Sequence, residues 1–126
     1  MRLAYLPTRD LLEHEEVDRQ YVEKIIKTLH KQKFIPIVVV KISGKNKYVI
    51  LDGHHRFNAL KAEGKNLIPC IIVDYNTVEL GHWRKEYSYV KREDVINGAL
   101  SGKKFPQKTT RHRFLFDQQD YGINLP

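Results

Sequence analysis

Cysteine is nearly absent from this chain: Cys70 is the single copy, so no disulfide can close within it. Its setting, Ile68-Pro69-Cys70-Ile71-Ile72-Val73, is apolar and marks it as a small core residue. Long hydrophobic runs are missing too. None approaches the roughly 20 residues needed to span a bilayer, and the amino terminus carries no secretory pattern. These absences argue against a secreted disulfide scaffold and against a membrane protein, and make a cytoplasmic location the expectation. There is no internal repeat, low-complexity tract or long linker, so the 126 residues are expected to form one domain, 1–126.

What is present is the composition of a globular protein, 41% hydrophobic and 29% charged. The net charge of +7 invites a nucleic-acid reading, but its distribution matters more than its size. Between Ser101 and Arg113 lie Lys103, Lys104, Lys108, Arg111 and Arg113, with no acidic residue among them. A positive field gathered in one segment suits a small polyanion at least as well as a long duplex.

Periodicity divides the chain into short elements. Leu3-Ala4-Tyr5-Leu6 reads as an edge strand ended by Pro7. From about Glu15 to Lys31, Val17, Tyr21, Val22, Ile25, Ile26 and Leu29 fall at helical spacing and predict an amphipathic helix. Pro36 through Ile42 is a β-branched run, a strand buried on both faces. The turn Ser43-Gly44-Lys45-Asn46 returns it antiparallel over Lys47 to Leu51. Leu67 to Val73 is a further buried strand, and Glu93 to Leu100 a last helix with Gly102 beyond its end. The tail after Phe105 shows no period. The pattern predicts an α/β (α+β) domain, a small mixed sheet with short helices.

The most informative segment is Asp52-Gly53-His54-His55-Arg56, between the second arm of the hairpin and a helix stopped by Gly64. A glycine permits a sharp turn and close approach of a ligand. The helix would begin at His54 or His55, turning its unpaired N–H groups and positive dipole end toward the same space as Arg56, a site suited to phosphate. The alternative is that Asp52 caps the helix and the histidines lie on a solvated face. Glu13-His14-Glu15-Glu16 also has two readings. The acidic side chains could complement a helix dipole, or one of them could face the pocket as a base. A lone His-Glu pair lacks the spaced ligands of a zinc site. Pro106-Gln107-Lys108-Thr109-Thr110-Arg111-His112-Arg113 offers hydroxyl, guanidinium and imidazole donors for a carboxylate or phosphate. Phe105 and Phe114-Leu115-Phe116 should anchor it to the domain. Trp83, the one tryptophan, lies in His82-Trp83-Arg84 after Gly81, where it could be core or pocket wall.

Taken together, these segments resemble the free L-serine kinases, phosphotransferases on the fold shared by sulfiredoxin and the amino-terminal domain of the chromosome-partition protein ParB. The similarity runs through His14-Glu15, the hairpin, Asp52-Gly53-His54-His55-Arg56, Val73-Asp74-Tyr75 and Lys108-Thr109-Thr110-Arg111-His112. The resemblance implies a single ParB/sulfiredoxin-like domain that converts free L-serine to O-phospho-L-serine. It makes Glu15 the catalytic base and Asp52, Gly53, His54, His55 and Arg56 the phosphate-binding turn, with Asp52 touching Mg²⁺. Trp83, Thr109, Thr110, Arg111 and His112 would recognise serine, and ATP or ADP would be the donor. Some members carry a long insertion between the tryptophan and the Thr-Thr-Arg-His segment; here that link is short, a minimal form.

The cousins differ in chemistry. Sulfiredoxin needs a cysteine where His54 stands, and ParB-type domains carry a Glu-Arg-Arg-like turn and a following DNA-binding domain. A ParB-like nucleotide- or DNA-binding regulatory module without turnover is the rival reading, and Glu15 separates the two. A carboxylate beside a phosphate pocket weakens anion binding, so a module that only binds has no need of it. A nuclease ranks last, because no carboxylate cluster suits two metals. Binding to nucleic acid and to membranes is not expected.

Overall fold

β-Branched and aliphatic side chains crowd the middle of the chain, and they build the centre of a mixed sheet. The computed structural model describes residues 1–125. Its strands are β1 (Arg2–Pro7), β2 (Leu11–Leu12), β3 (Ile37–Lys41), β4 (Tyr48–Asp52) and β5 (Leu67–Val73), in the order β1-β5-β3-β4-β2. β3 lies antiparallel to β4 and parallel to β5, while β1 closes one edge antiparallel to β5. The mixed α/β architecture agrees with the sequence reading, as does the buried setting of Cys70, whose thiol burial pushes up to about 12.

Alternation along the central strands separates two cores. Ile37, Val39, Tyr48, Ile50, Ile68 and Cys70 point to one face, where α1 (Arg19–Thr28) and α2 (His54–Ala62) cover them with Val22, Phe57 and Leu60. Val38, Val40, Val49, Leu51, Ile71 and Val73 point to the other, against Val95 and Ala99 of α3 (Arg92–Ser101). A period of two along a strand sends successive residues to opposite faces, so a strand apolar throughout must be covered on both.

The structure moves one boundary that matters for function. α1 does not begin at Glu15 but at Arg19, where the Asp18 carboxylate caps it by accepting the Gln20 N–H at 3.0 Å. Glu13 to Val17 therefore lie outside the helix, with Glu15 in an isolated bridge to Phe105, and the reading of their carboxylates as complements to the dipole in its first turn fails. The region after Phe105 is not featureless either. β7 (Arg111–Arg113) pairs antiparallel with β6 (Glu79–Gly81), and Phe34 bridges to Ile123 near the end of the chain. Phe114 and Phe116 pack on the second core as expected, whereas Leu115 between them is 87% exposed. Among the described residues no helix is long and apolar enough to cross a membrane.

Gly53 joins β4 to α2 with φ at 107°, a left-handed conformation that side chains disfavour. A Cβ there would sit 2.5 Å from Ile37 Cγ2 and 2.9 Å from the Arg56 guanidinium. Gly53→Ala should therefore destabilise the fold by about 1–3 kcal/mol, read as a lower midpoint in urea unfolding. An unchanged midpoint would mean that the turn can relax and that its backbone geometry is not enforced.

Candidate functional site

The turn after β4 opens into a cleft of about 730 Å³. Its walls bring together Glu15, Asp52 to Arg56, Trp83, Lys108 and Thr110 to His112, with α1 and Phe34-Ile35 extending it to one side. Segments nearly a hundred residues apart in sequence meet here.

α2 starts without a side-chain cap, and its first intrahelical bond runs from the Phe57 N–H to the Gly53 carbonyl at 2.8 Å. The amides of His54, His55 and Arg56 precede that bond, so the helix presents unpaired donors and its positive end to the cleft. Asp52 does not cap the helix. Its Oδ2 accepts the Gln118 side-chain N–H at 2.6 Å and lies 3.6 Å from the Arg56 guanidinium. Gln118 in turn accepts from Arg56 through Oε1 at 3.2 Å, while Arg56 Nε donates to the Ile35 carbonyl at 3.0 Å. The guanidinium expected to grip phosphate is thus held in place largely by its own protein. Nothing in the composition near Gln118 marks it, since the contact joins positions 66 residues apart.

The rings of the two histidines are also engaged. His54 Nε2 accepts the backbone N–H of His14 at 3.2 Å, and His55 Nε2 accepts that of Asp18 at 3.0 Å. Burial lowers both below the usual histidine value, with the neighbouring His14 reinforcing it at His54. Both rings are committed to backbone N–H groups, and it is the amides of the turn that remain open to the cleft.

Glu15 is buried against the carboxyl-terminal segment. Backbone bonds between Phe105 N–H and His14 carbonyl, and between Glu16 N–H and Phe105 carbonyl, both 2.8 Å, fix the strand that carries it. Its Oε1 accepts the Lys108 N–H at 3.0 Å; Oε2 accepts the Thr110 N–H at 2.9 Å and the Thr110 hydroxyl at 2.6 Å. Burial alone would raise its pKa, but the bonds from His14 and Thr110 and the charge of His14 outweigh it and hold the group at about 2. Lys108 takes a left-handed φ of 60° to aim its amide there, a conformation that costs an ordinary residue about 1–2 kcal/mol. Of the other candidates, Glu13 is bonded to Asn58 at 2.6 Å and faces away, while Glu16 is exposed at the cleft's rim.

The remaining expected residues divide. Trp83 is 55% exposed, hence no core residue, and its ring lies 4.3 Å from the Arg111 guanidinium at the cleft. His112 Nδ1 donates to the Leu51 carbonyl at 3.1 Å, and the Tyr75 hydroxyl donates to Nε2 at 2.8 Å. Burial first and the nearby His14 second push His112 down to about 3. Thr109, expected to touch substrate, instead has no exposed surface, donates its hydroxyl to the Pro106 carbonyl at 2.6 Å and does not line the cleft. Its role is to fold the turn that carries Lys108 and Thr110.

Among the described residues no three metal-ligating side chains cluster. Asp52 alone suits a hard cation that keeps most of its waters and takes one or two carboxylates plus phosphate oxygens, the usual habit of Mg²⁺.

A mixed sheet, a helix amino terminus at the end of β4 and a buried carboxylate across the cleft define a small α/β domain with a polar cleft at the carboxyl end of β4. The chain belongs to the ParB N-terminal domain family, whose sequence profile matches residues 5–82. It is 42% identical over 77 residues to an ATP-dependent L-serine kinase of Desulfurococcus mucosus, a match covering 58% of this chain and 30% of that protein. It is 36% identical over 105 residues to an ATP-dependent L-serine kinase of Staphylothermus marinus, covering 74% of this chain and 42% of the relative. The chain thus spans less than half the length of these curated relatives. A free serine kinase in complex with AMP shares the fold, with a TM-score of 0.81 over 90% of this chain and 88% of that one at 16% identity.

Four of these groups, Glu15, His54, His55 and His112, have values displaced downward, and the three most buried, Glu15, His54 and His112, dominate the acid response of the fold. The Glu15 contribution is complete above its ordinary 4.5 and disappears as pH falls toward about 2. His54 and His112 stay neutral in the folded chain, so they contribute fully above 6.5 and lose that contribution as pH falls below it. Urea midpoints should therefore fall in two stages on acidification, and His112→Asn should flatten the upper stage. A midpoint constant from pH 7 to pH 5 in the wild type would mean that folding takes up and releases no net proton there, and that burial does not hold these imidazoles neutral.

Proposed function

We propose that this chain carries the catalytic domain of a free L-serine kinase, residues 1–126, transferring a phosphoryl group from ATP or ADP to serine and yielding O-phospho-L-serine. The observation that carries the reading is Glu15: a carboxylate kept ionised, at about 2, in the same cleft as a helix amino terminus open to phosphate. A site evolved only to hold an anion gains nothing from a fixed negative charge. The names and the shared fold of the kinase relatives support the same reading.

Phosphoryl transfer asks a protein for positioning and charge stabilisation more than for covalent chemistry. The amides at the start of α2 would bind the transferring phosphoryl group and stabilise charge as it develops. Asp52 would hold Mg²⁺, which supplies charge neutralisation on the phosphate oxygens. Glu15 would accept a hydrogen bond from the serine hydroxyl and take its proton as the phosphorus–oxygen bond forms. So acidic a carboxylate is a weak base, which matches a loose transition state that asks for orientation before deprotonation. Arg111, steadied by Trp83, would bind the serine carboxylate. A cytoplasmic location goes with this reading.

The direct test is incubation with serine, Mg²⁺ and ATP or ADP, scored for phosphoserine. Glu15→Gln keeps the shape and removes the charge, so it should cost about 10²–10⁴-fold in kcat while nucleotide Kd stays nearly constant. Arg111→Ala should raise the serine KM more than the nucleotide KM. Normal turnover by Glu15→Gln would take Glu15 out of the mechanism. If Arg111→Ala leaves serine kinetics intact but weakens salt-dependent DNA retention, the regulatory-module reading replaces the kinase.

A further inference from the structure

His14 has no exposed surface, is absent from the cleft walls, and is not used by the mechanism above. Its ring is nonetheless bonded at both nitrogens. Nδ1 lies 2.8 Å from the Ile50 carbonyl and Nε2 lies 2.9 Å from the Thr110 hydroxyl. A carbonyl can only accept, so Nδ1 must donate. The Thr110 hydroxyl has one proton, and that proton is spent on Glu15 Oε2 at 2.6 Å. Its oxygen therefore has only lone pairs to offer Nε2, which must donate as well.

We propose that His14 is buried as an imidazolium and acts, through the Thr110 hydroxyl, as the positioning residue that keeps Glu15 a carboxylate; the catalytic part of this rests on the kinase reading. The titratable side chains facing His14 are Glu15, His54 from α2 and His112 from β7, the two rings at 4.7 and 5.9 Å. Neither of those rings can carry the balancing charge. His54 Nε2 accepts an amide proton and so keeps a bare nitrogen, while burial pushes His112 down to about 3, which leaves its Nε2 bare to take the Tyr75 hydroxyl proton. His14, fully buried and 3.5 Å from Glu15 Oε2, is the group left among them to neutralise it.

The arrangement distinguishes the two carboxylate oxygens. Oε2 is filled by the Thr110 amide and hydroxyl, with His14 behind them. Oε1 accepts only the Lys108 N–H and retains a free lone pair. That makes Oε1 the atom offered to the serine hydroxyl. Moving one proton from Nε2 to Thr110 and the Thr110 proton to Oε2 would leave a neutral imidazole and a carboxylic acid. Such an acid cannot take the substrate proton, so activity depends on His14 keeping its own.

The protonation state can be read without turnover, from long-range ¹H–¹⁵N correlation spectra of the histidine-labelled full chain at pH 7.5. His14→Gln, lacking one set of signals, identifies the resonances. Both ring nitrogens of His14 should show the protonated imidazolium pattern; one bare nitrogen overturns the proposal. In kinetics, Thr110→Val removes the hydroxyl and keeps the shape. It should lower kcat at least tenfold with little change in nucleotide Kd, and move the acid limb of the kcat profile upward by about 1–3 pH units. Thr110→Ser should restore both. A folded Thr110→Val with the wild-type rate and acid limb also overturns it. Absence of phosphoserine formation by the wild-type chain sinks the kinase reading instead, and the spectrum then decides the charge of His14 alone.

Discussion

The carboxylate of Glu15 is the joint on which this structure turns. It closes a set of hydrogen bonds to Lys108 and Thr110 that no other element supplies, and those bonds tie the extended amino-terminal segment to the carboxyl-terminal one. Without it the Lys108 and Thr110 amides would lose these acceptors, at about 1–3 kcal/mol for the buried one at Thr110. The strained φ of Lys108 would also lose its compensation. Fold and chemistry are therefore not separable here: the group best placed to orient a nucleophile is the group that holds the cleft together.

A second constraint acts at the far wall. The turn between β4 and α2 is fixed by Gln118, which bridges Asp52 and Arg56, and by the steric demand of Gly53 against Ile37. An anion entering this cleft meets donors already in position, and little of its binding energy is lost to ordering them. The apolar sheet behind the turn makes that rigidity possible, since Ile50 and Leu51 on successive positions are buried on opposite faces.

Much of this was legible in the residues. The β-branched runs, the Ser43-Gly44 turn and the strand–glycine–helix pattern at Asp52-Gly53-His54 follow from local rules, and local rules placed them well. What escaped was long-range or irregular. Val17 sits at helical spacing with Tyr21, so the periodicity ran past Asp18, where the cap begins the helix. β6 and β7 are three residues each, have Leu80 as their one aliphatic side chain and pair over a wide gap, so neither shows an apolar alternation. His14 lies in a run of four polar residues that reads as surface, yet its ring is enclosed by partners contributed from β4 and the Thr110 turn. Thr109 and Thr110 look equivalent in sequence; only the backbone turn decides that one supports the fold and the other bonds Glu15.

The contact between Glu15 and Thr110 spans 95 positions, and this has a consequence for how the chain reaches its working state. Pairings so distant carry the largest loop-closure entropy and form late. On a ribosome the hairpin, α2 and the parallel strand can assemble while the Glu15 carboxylate still waits for partners not yet made. The domain would pass through a stage that is folded in its sheet but unfinished in its cleft, and the same ordering would run backward when the chain begins to unfold.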